Sequence, residues 1–351
     1  MLFALKNAPI AFGLDISDTT VKIAQLRRSG RSFVAELIKE IIIPQGLVKN
    51  GEIQNVQQLA SELTKLLSPF RKQLTDGVIA SLPESKTFIQ TIIIPKGNES
   101  TLPVQLAESL PEYLPLPLEE MYQDNAMISE TNNNWQIVIG AAPKTIVDNY
   151  IQLLESMHLI PVALDIQAMA MARTLLPVKE PQYRTRAIID IGRHHASLIV
   201  HDQNTIQFTM SLPISGDQIT DNIAKELNLS SDQAEKAKII CGLDPNKCEG
   251  VLRTVLEGII DNLVKKISEA LDFYQDHFIN SRDIEEIILT GGGAYLLNLD
   301  QVLSEILRVP TKLGDPWENT HITSFPNLKA PLQYSTVIGL ALRGANGEET
   351  V

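Results

Sequence analysis

Two stretches of the sequence each combine an apolar run, an aspartate near its end and a polar turn. The first spans residues 12–24 and carries Asp15, and the second spans residues 187–200 and carries Asp190. Hydroxyl and backbone N–H groups of such turns can donate to phosphate oxygens. A carboxylate at the strand end can hold a hydrated Mg²⁺ that bridges phosphates. The residue types of both stretches therefore suit the binding of a phosphate group and its Mg²⁺.

A third stretch, residues 286–294, is an apolar strand that ends in Gly291, Gly292 and Gly293. Glycines have no Cβ atom, so backbone there can approach a flat base or a ribose closely. Each hairpin alone is better explained as an ordinary polar turn, because short motifs often occur by chance. The order and separation of the three stretches favour a nucleotide held between two related halves.

Composition limits the classes of function. The 351 residues suffice for about two domains, and 44% hydrophobic with 21% charged residues is typical of a globular protein. The net charge of −12 argues against a nucleic-acid binder and against adsorption on an anionic membrane. We find neither a secretory signal nor an apolar run of about 18 residues that could span a bilayer.

The sequence contains two cysteines, Cys241 and Cys248. They lack CxxC spacing and histidine companions, so we interpret them as unpaired thiols in a reducing cytosol.

Strand and helix patterns alternate in two similar halves, which predicts a duplicated α/β fold. The first half comprises residues 1–76 and 161–176, and the second comprises residues 177–351. Between the two parts of the first half, residues 77–160 predict a compact α+β insert. The second half repeats the first, with a hairpin at 186–202, a strand at 205–212 and a helix at 216–227, and it adds a long helix at about 250–278.

Several passages resemble the actin-like ATPase superfamily, which includes actin, FtsA and sugar kinases, and among its members the PilM family of type IV pilus assembly proteins. The passages that carry the resemblance are 13–22, 80–83, 94–95, 113–120, 141–144 and 165–173. The resemblance implies a duplicated actin-like ATPase fold, with two ribonuclease-H-like halves and a small inserted subdomain.

The family's nucleotide residues carry over where the motifs match, which implies a site for ATP or ADP with Mg²⁺. Asp15 and Asp190 would hold the Mg²⁺ through water, and Gly291, Gly292 and Gly293 would cradle the adenosine. Glu235 and Lys238 would reach the ribose and base, although a solvated helix face explains them as well. The residues implied at the phosphates are Ser17, Asp18, Thr19, Thr20, Lys22, Gly192, Arg193, His194 and Gly216, the last at the start of a helix.

The second phosphate turn departs from the family pattern, which has small and hydroxyl residues there. This chain has Arg193, His194 and His195 instead. Arg193 could meet a phosphate as a bidentate donor, and the histidines could narrow the site or lie in solvent. No general base is assignable, so we expect nucleotide binding with at most slow ATPase activity.

By resemblance, the chain is a cytoplasmic ATP-binding scaffold of the type IV pilus inner-membrane assembly platform. It would bind the N-terminal cytoplasmic peptide of a PilN-like bitopic membrane protein in a groove beside the insert, and nucleotide would bias the affinity. It would thus lie at the inner membrane through protein partners. Contacts with pilus assembly ATPases and self-association through the insert stay open.

Three other functions remain open at this point. The chain could be an FtsA-like filament former, although its acidic C-terminus, 343–351, is not an amphipathic anchor. It could be a small-molecule kinase, for which no motif marks a catalytic aspartate. It could also be a degenerate structural member that binds no nucleotide.

Overall fold

The computed structural model describes residues 3–4, 9–131, 133–178, 184–320, 322 and 327–346. The strands in chain order are β1 (Phe3–Ala4), β2 (Ala11–Ile16), β3 (Thr20–Ser29), β4 (Ser32–Ile42), β5 (Val48–Lys49), β6 (Glu52–Ile53), β7 (Gly77–Leu82), β8 (Phe88–Pro95), β9 (Met121–Glu130), β10 (Asn134–Pro143), β11 (Ile160–Ile166), β12 (Arg186–Ile191), β13 (Ala196–Asp202), β14 (Thr205–Leu212), β15 (Glu286–Thr290) and β16 (Thr311–Leu313). The α-helices are α1 (Val56–Leu67), α2 (Leu102–Ser109), α3 (Lys144–Ser156), α4 (Gln167–Leu175), α5 (Gly216–Leu227), α6 (Ser231–Cys241), α7 (Val251–His277), α8 (Leu299–Leu307) and α9 (Ser335–Asn346).

These elements form two compact units. The first unit comprises Met1–Val178, Trp317–Asn327 and Tyr334–Val351, and the second comprises Lys179–Pro316 and Leu328–Gln333. The first unit is therefore discontinuous in sequence, because it includes the C-terminal helix α9.

A six-stranded sheet in the order β1-β11-β7-β2-β3-β4 forms the centre of the first unit. Strands β2, β3 and β4 are antiparallel neighbours, whereas β7 and β11 run parallel to β2 and to each other. Helices α1 and α3 contribute apolar residues to the core on one side of this sheet. β2 is buried along its whole length, as expected for a central strand covered on both faces.

Within the predicted insert, β7 belongs to the six-stranded sheet. The strands β8, β10 and β9 instead pair antiparallel in that order, and with α2 they have a small core of their own. The members of this core are Ile92, Ile94, Leu106, Leu110, Trp135, Ile137 and Ile139. β9 was not predicted from the sequence, because its apolar residues occur in two clusters, 121–122 and 126–128, and do not alternate with polar ones.

Helix α9 is buried along most of its length against the first unit's sheet and α4. Close packing depends on small residues, because a Cβ atom at Gly339 would lie 2.0 Å from the carbonyl oxygen of Ala170. On the strand side, a Cβ atom at Gly13 would lie 2.5 Å from the carbonyl oxygen of Val337. The C-terminal helix is therefore an integral layer of the first unit.

The second unit repeats the strand order of the first. Its strands pair in the order β16-β15-β12-β13-β14, with β12, β13 and β14 antiparallel and β15 and β16 parallel to β12. The first unit has the same arrangement in β11-β7-β2-β3-β4. This match confirms the predicted duplicated α/β fold at the level of topology.

Helices α5 and α6 begin at side-chain caps. Ser215 accepts a hydrogen bond from the backbone N–H of Gln218 at the start of α5. Ser230 and Gln233 form a reciprocal capping box at the start of α6, and Asn228 ends α5 in the left-handed region. The local sequence thus determines where α5 begins and ends and where α6 begins.

The two cysteines form a disulfide, so the interpretation as unpaired thiols is wrong. Cys241 is the last residue of α6, and Cys248 lies in the turn before α7, with 5.8 Å between their Cα atoms. Two cysteines seven residues apart become neighbours because Gly242, with φ of +51°, turns the chain directly after Cys241. This reversal was not evident from the spacing.

No helix in the described part of the chain is long and apolar enough to cross a membrane. The acidic C-terminus considered above falls largely outside the described residues.

Candidate functional site

Asp15 and Asp190 occupy the same position in the two units. Each is the fifth residue of a six-residue strand, β2 or β12, that leads into the turn of an antiparallel hairpin. In the register of the two hairpins, Asp15 lies opposite Lys22 and Asp190 lies opposite Ser197. The repeated motif seen in the sequence is therefore a repeat in structure as well.

Asp15 is buried, with 7% of its surface exposed. Its Oδ1 accepts hydrogen bonds from the Ser81 hydroxyl at 2.7 Å and from the Gln167 amide at 3.2 Å. Both donors are neutral, and among the described residues no salt bridge involves Asp15. A buried carboxylate that lacks a cationic partner is costly, so this oxygen-rich position suits a hydrated Mg²⁺.

Ser81 and Gln167 are functional candidates that the sequence reasoning did not select. Ser81 is a polar residue in the otherwise apolar strand β7, which is a signal that could have identified it. Gln167 is the first residue of α4, and its side-chain amide oxygen Oε1 accepts a hydrogen bond from the backbone N–H of Glu84 at 3.3 Å. Gln167 thereby connects Asp15 to the loop after β7.

The first turn uses much of its polar capacity internally. Ser17 accepts the backbone N–H of Thr20 at 3.1 Å, and the two hydroxyls lie 2.9 Å apart. The carboxylate of Asp18 accepts the backbone N–H groups of Asn50 and Gly51 at 2.8 and 2.9 Å. Asp18 therefore fixes the neighbouring loop, and Ser17 and Thr20 shape the turn itself.

Two further residues of this turn have partners in the first unit. The carbonyl oxygen of Thr19 accepts the backbone N–H of Ile43 at 3.0 Å. The ammonium of Lys22 lies 3.9 Å from Glu40 Oε1, and its side chain is only 15% exposed. The assignment of Ser17, Asp18, Thr19, Thr20 and Lys22 to a phosphate stays a prediction.

The second turn is anchored to the start of α5. The N–H of Gly192 donates to the carbonyl of His195 at 2.9 Å. The carbonyls of Gly192 and Arg193 accept the backbone N–H groups of Gly216 and Asp217, each at 2.9 Å. The side chains of Arg193 and His194 both contact the Asp217 carboxylate. The turn and the helix start thus form one hydrogen-bonded assembly.

Glu235 and Lys238 come together on α6 and face α5. The Lys238 ammonium lies 2.6 Å from Glu235 Oε2, 2.8 Å from the Thr220 hydroxyl and 3.2 Å from the carbonyl of Gly216. The Thr220 hydroxyl donates to Glu235 at 2.6 Å. Thr220 was not predicted, although its position four residues after Gly216 places both on one side of α5.

Electrostatics keep Glu235 ionised. Partial burial acts to raise the pKa of Glu235, but hydrogen bonds from Lys238 and Thr220 and the nearby charges of Lys238 and Arg193 lower it below its ordinary value. A carboxylate held in this way can accept hydrogen bonds from hydroxyl groups such as those of a ribose.

The three glycines follow β15 and pack against the end of β12. A Cβ atom at Gly291, which has φ of +81°, would lie 2.4 Å from Asp190 Oδ1, and one at Gly293 would lie 2.2 Å from Ile191 Cγ2. Gly292 is next to the side chain of Gln333. Close packing within the second unit therefore already requires glycine at 291 and 293, and contact with adenosine stays a prediction.

No group of three or more His, Cys, Asp or Glu side chains in the described ranges is arranged to hold a metal ion. The assignment of Asp15 and Asp190 as ligands of one Mg²⁺ stays a prediction, because the two residues belong to different units.

Comparison with solved structures defines the class of fold. Over 97% of this chain and 96% of the other, the fold is similar to that of MreB 5 of Spiroplasma citri bound to AMPPNP, with a TM-score of 0.57 and 14% identity. A chain of a PilM-PilN type IV pilus biogenesis complex gives a TM-score of 0.80 at 23% identity, over 96% of this chain and 98% of that one. The protein therefore has the actin-like ATPase fold that was predicted.

The sequence comparison specifies the family. Residues 13–345 match the family described as "Type IV pilus assembly protein PilM". The chain belongs to this PilM family. It is also 25% identical over 197 residues to the cell division protein FtsA of Pseudomonas aeruginosa, covering 51% of this chain and 46% of that protein. The chain spans about half the length of the first curated relatives that it matches.

Proposed function

We propose that the chain is a nucleotide-binding scaffold of the type IV pilus assembly platform, with ATP or ADP and Mg²⁺ as its ligands. The observation that carries the proposal is the equivalent placement of Asp15 and Asp190 in two hairpins of identical topology. Glu235, Lys238 and Thr220 supply polar groups suited to a nucleoside. AMPPNP in the structure of MreB 5, which shares the fold, supports the same ligand class.

The two aspartates would hold the hydrated metal ion, and the residues of the two turns would orient the phosphates. Mg²⁺ would neutralise phosphate charge when bound. The chain's own residues would hold the nucleotide and fix its position. Because no general base is assigned, the proposal is binding with at most slow hydrolysis.

The test is titration of the purified protein with Mg²⁺-ATP and Mg²⁺-ADP by calorimetry. An Asp15→Asn, Asp190→Asn double variant retains the shape of both side chains and removes their charges. We expect its Kd to rise roughly tenfold or more, since removing one partner of a desolvated charge pair costs this much. Asp276→Asn, an exposed site on α7, is the matched control.

Unchanged binding by the double variant would contradict the assigned site. A folded wild-type protein that binds neither nucleotide would instead support the structural, nucleotide-free alternative.

The partner that we propose is the N-terminal cytoplasmic peptide of a PilN-like bitopic membrane protein. The PilM-PilN type IV pilus biogenesis complex, one chain of which has a similar fold, supports this choice. In the described residues of the first unit, β9 pairs only with β10, so its other edge is available for strand addition. Met127 on β9 is 44% exposed and could add an apolar contact.

A labelled peptide with the PilN homologue's N-terminal sequence, measured by fluorescence anisotropy, tests this partner. Met127→Glu should weaken the peptide's affinity, whereas Ile42→Glu, an equal charge change at an exposed site on β4, should not. Equal losses in both variants, or none in either, would argue against β9. If nucleotide and peptide are coupled, each must change the other's Kd by the same factor, so titrations with and without Mg²⁺-ATP complete the measurement.

A further inference from the structure

Two of the three basic side chains in the second hairpin turn, Arg193 and His194, contact one carboxylate of the same unit. Arg193 Nε lies 3.2 Å from Asp217 Oδ1 and 3.5 Å from Oδ2. His194 Nδ1 lies 3.0 Å from Asp217 Oδ2. Because a carboxylate only accepts hydrogen bonds, Arg193 and His194 are the donors here. Asp217 thus engages two of the three basic residues that distinguish this turn from its family pattern.

The backbone donors at the start of α5 are also in use. The first N–H groups of an α-helix have no partner within the helix and can bind an anion. Here Gly216 and Asp217 donate to the carbonyls of the turn, each at 2.9 Å. Gln218 donates to the Ser215 hydroxyl at 3.2 Å, and Ile219 donates to the Ser215 carbonyl at 3.1 Å. A phosphate that reaches this turn therefore meets the exposed Arg193 side chain rather than open backbone donors.

The Arg193–Asp217 ion pair is accessible enough for Arg193 to change partners. The side chain of Arg193 is 66% exposed and that of Asp217 is 42% exposed. Exposed ion pairs of this kind are weak. A phosphate offers a guanidinium the same forked acceptor geometry as a carboxylate and carries more charge.

We propose that Asp217 is an internal competitor for the nucleotide phosphate. Without nucleotide it holds Arg193 and His194 against the start of α5, and with nucleotide the phosphate replaces it as the acceptor for Arg193. This inference rests on the proposed nucleotide binding. Arg193 is then a phosphate-binding residue, and Asp217 lowers the affinity for nucleotide by occupying Arg193. A carboxylate in the first helical turn also interacts favourably with the helix dipole, so the experiment must separate competition from a purely structural role.

The experiment measures the Kd of Mg²⁺-ADP and of adenosine by calorimetry for four proteins: wild type, Asp217→Asn, Arg193→Gln and the double variant. Competition predicts that Asp217→Asn binds Mg²⁺-ADP about two- to fivefold more tightly, the range expected for release of an exposed ion pair. Arg193→Gln should bind it more weakly. In a protein that already carries Arg193→Gln, Asp217→Asn should increase the affinity for Mg²⁺-ADP much less than it does in wild type, because the Asp217 carboxylate competes with the phosphate mainly for Arg193.

Adenosine lacks phosphates, so its affinity should be the same in all four proteins. Asp221→Asn, an exposed site on the same helix, removes an equal charge and should leave the Kd of Mg²⁺-ADP unchanged. Equal or weaker Mg²⁺-ADP binding by Asp217→Asn would overturn the proposal, as would an undiminished gain in the Arg193→Gln background. If neither wild type nor Asp217→Asn binds a nucleotide, the proposed function itself fails, which is a different result from binding that Asp217 does not affect.

Discussion

Asp165, at the end of β11, shows how single charged residues stabilise the first unit. It is 4% exposed and lies 3.0 Å from an Nη1 atom of Arg173 on α4 and 3.1 Å from that of Arg343 on α9. Burial acts to raise the pKa of Asp165, but the charges of Arg173 and Arg343 lower it below its ordinary value. One ionised carboxylate thus connects a strand with two helices.

Replacing Asp165 by asparagine should destabilise the protein by about 3–5 kcal/mol, because both arginines would keep buried charges without their anion. Urea unfolding at neutral pH measures this as a lower transition midpoint, with Asp276→Asn as the control. A loss below about 1 kcal/mol, the value of an exposed pair, would show that the arginines find other partners.

The same lowered pKa fixes the direction of a pH effect. A carboxyl whose pKa is lower in the folded state stabilises that state above its unfolded value of about 3.9, and this stabilisation is lost as the pH falls through the folded pKa. The stability difference between wild type and Asp165→Asn should therefore persist at neutral pH and shrink as the pH falls below about 4. A difference that stays constant down to pH 2 would contradict the assignment.

At the scale of elements, the disulfide between Cys241 and Cys248 connects the end of α6 to the turn before α7. Helix α6 carries Glu235 and Lys238, so this bond limits movement at the end of a helix that contributes to the candidate site. Closing so short a loop restricts the unfolded chain and should stabilise the folded one by about 2 kcal/mol.

We expect Cys248→Ser to lower stability by about this amount, and dithiothreitol to lower wild-type stability equally while leaving the variant unaffected. Cys248 is the better site for substitution, because its side chain is exposed whereas Cys241 is buried. Thermal unfolding with and without the reductant measures both effects. Two free thiols in a colorimetric assay of the untreated, denatured wild type would show that the bond is absent.

Most elements could be predicted because their apolar spacing is regular. The long helix expected at about 250–278 is α7, Val251–His277, and the expected strand at 205–212 is β14, Thr205–Leu212. β9 could not be predicted in this way, since its pairing with β10 rather than its own composition makes it a strand. The disulfide escaped prediction for a similar reason, because backbone reversal at Gly242 brings the cysteines together.

At the scale of the whole molecule, the repeated motif predicted the repeated topology. Strands β2 and β12 each carry an aspartate as their fifth residue and each lead into a hairpin turn. The strands around them follow the same order in both units. The contacts of individual site residues were less predictable, because they depend on distant parts of the chain. Asp18 binds backbone 32 and 33 residues away, and Gly291 packs on Asp190 from a separate strand.

The discontinuity of the first unit has a consequence for how the chain is made. The second unit is almost entirely one stretch, Lys179–Pro316, whereas α9, a buried layer of the first unit, is translated later. During synthesis the second unit can therefore complete most of its core while the surface of the first unit that α9 will cover still faces water. The first unit is thus translated first but completes its fold after the second unit, because it needs α9. Helix α9 must leave the ribosome before Ala11, Ile79 and Ala163 are enclosed.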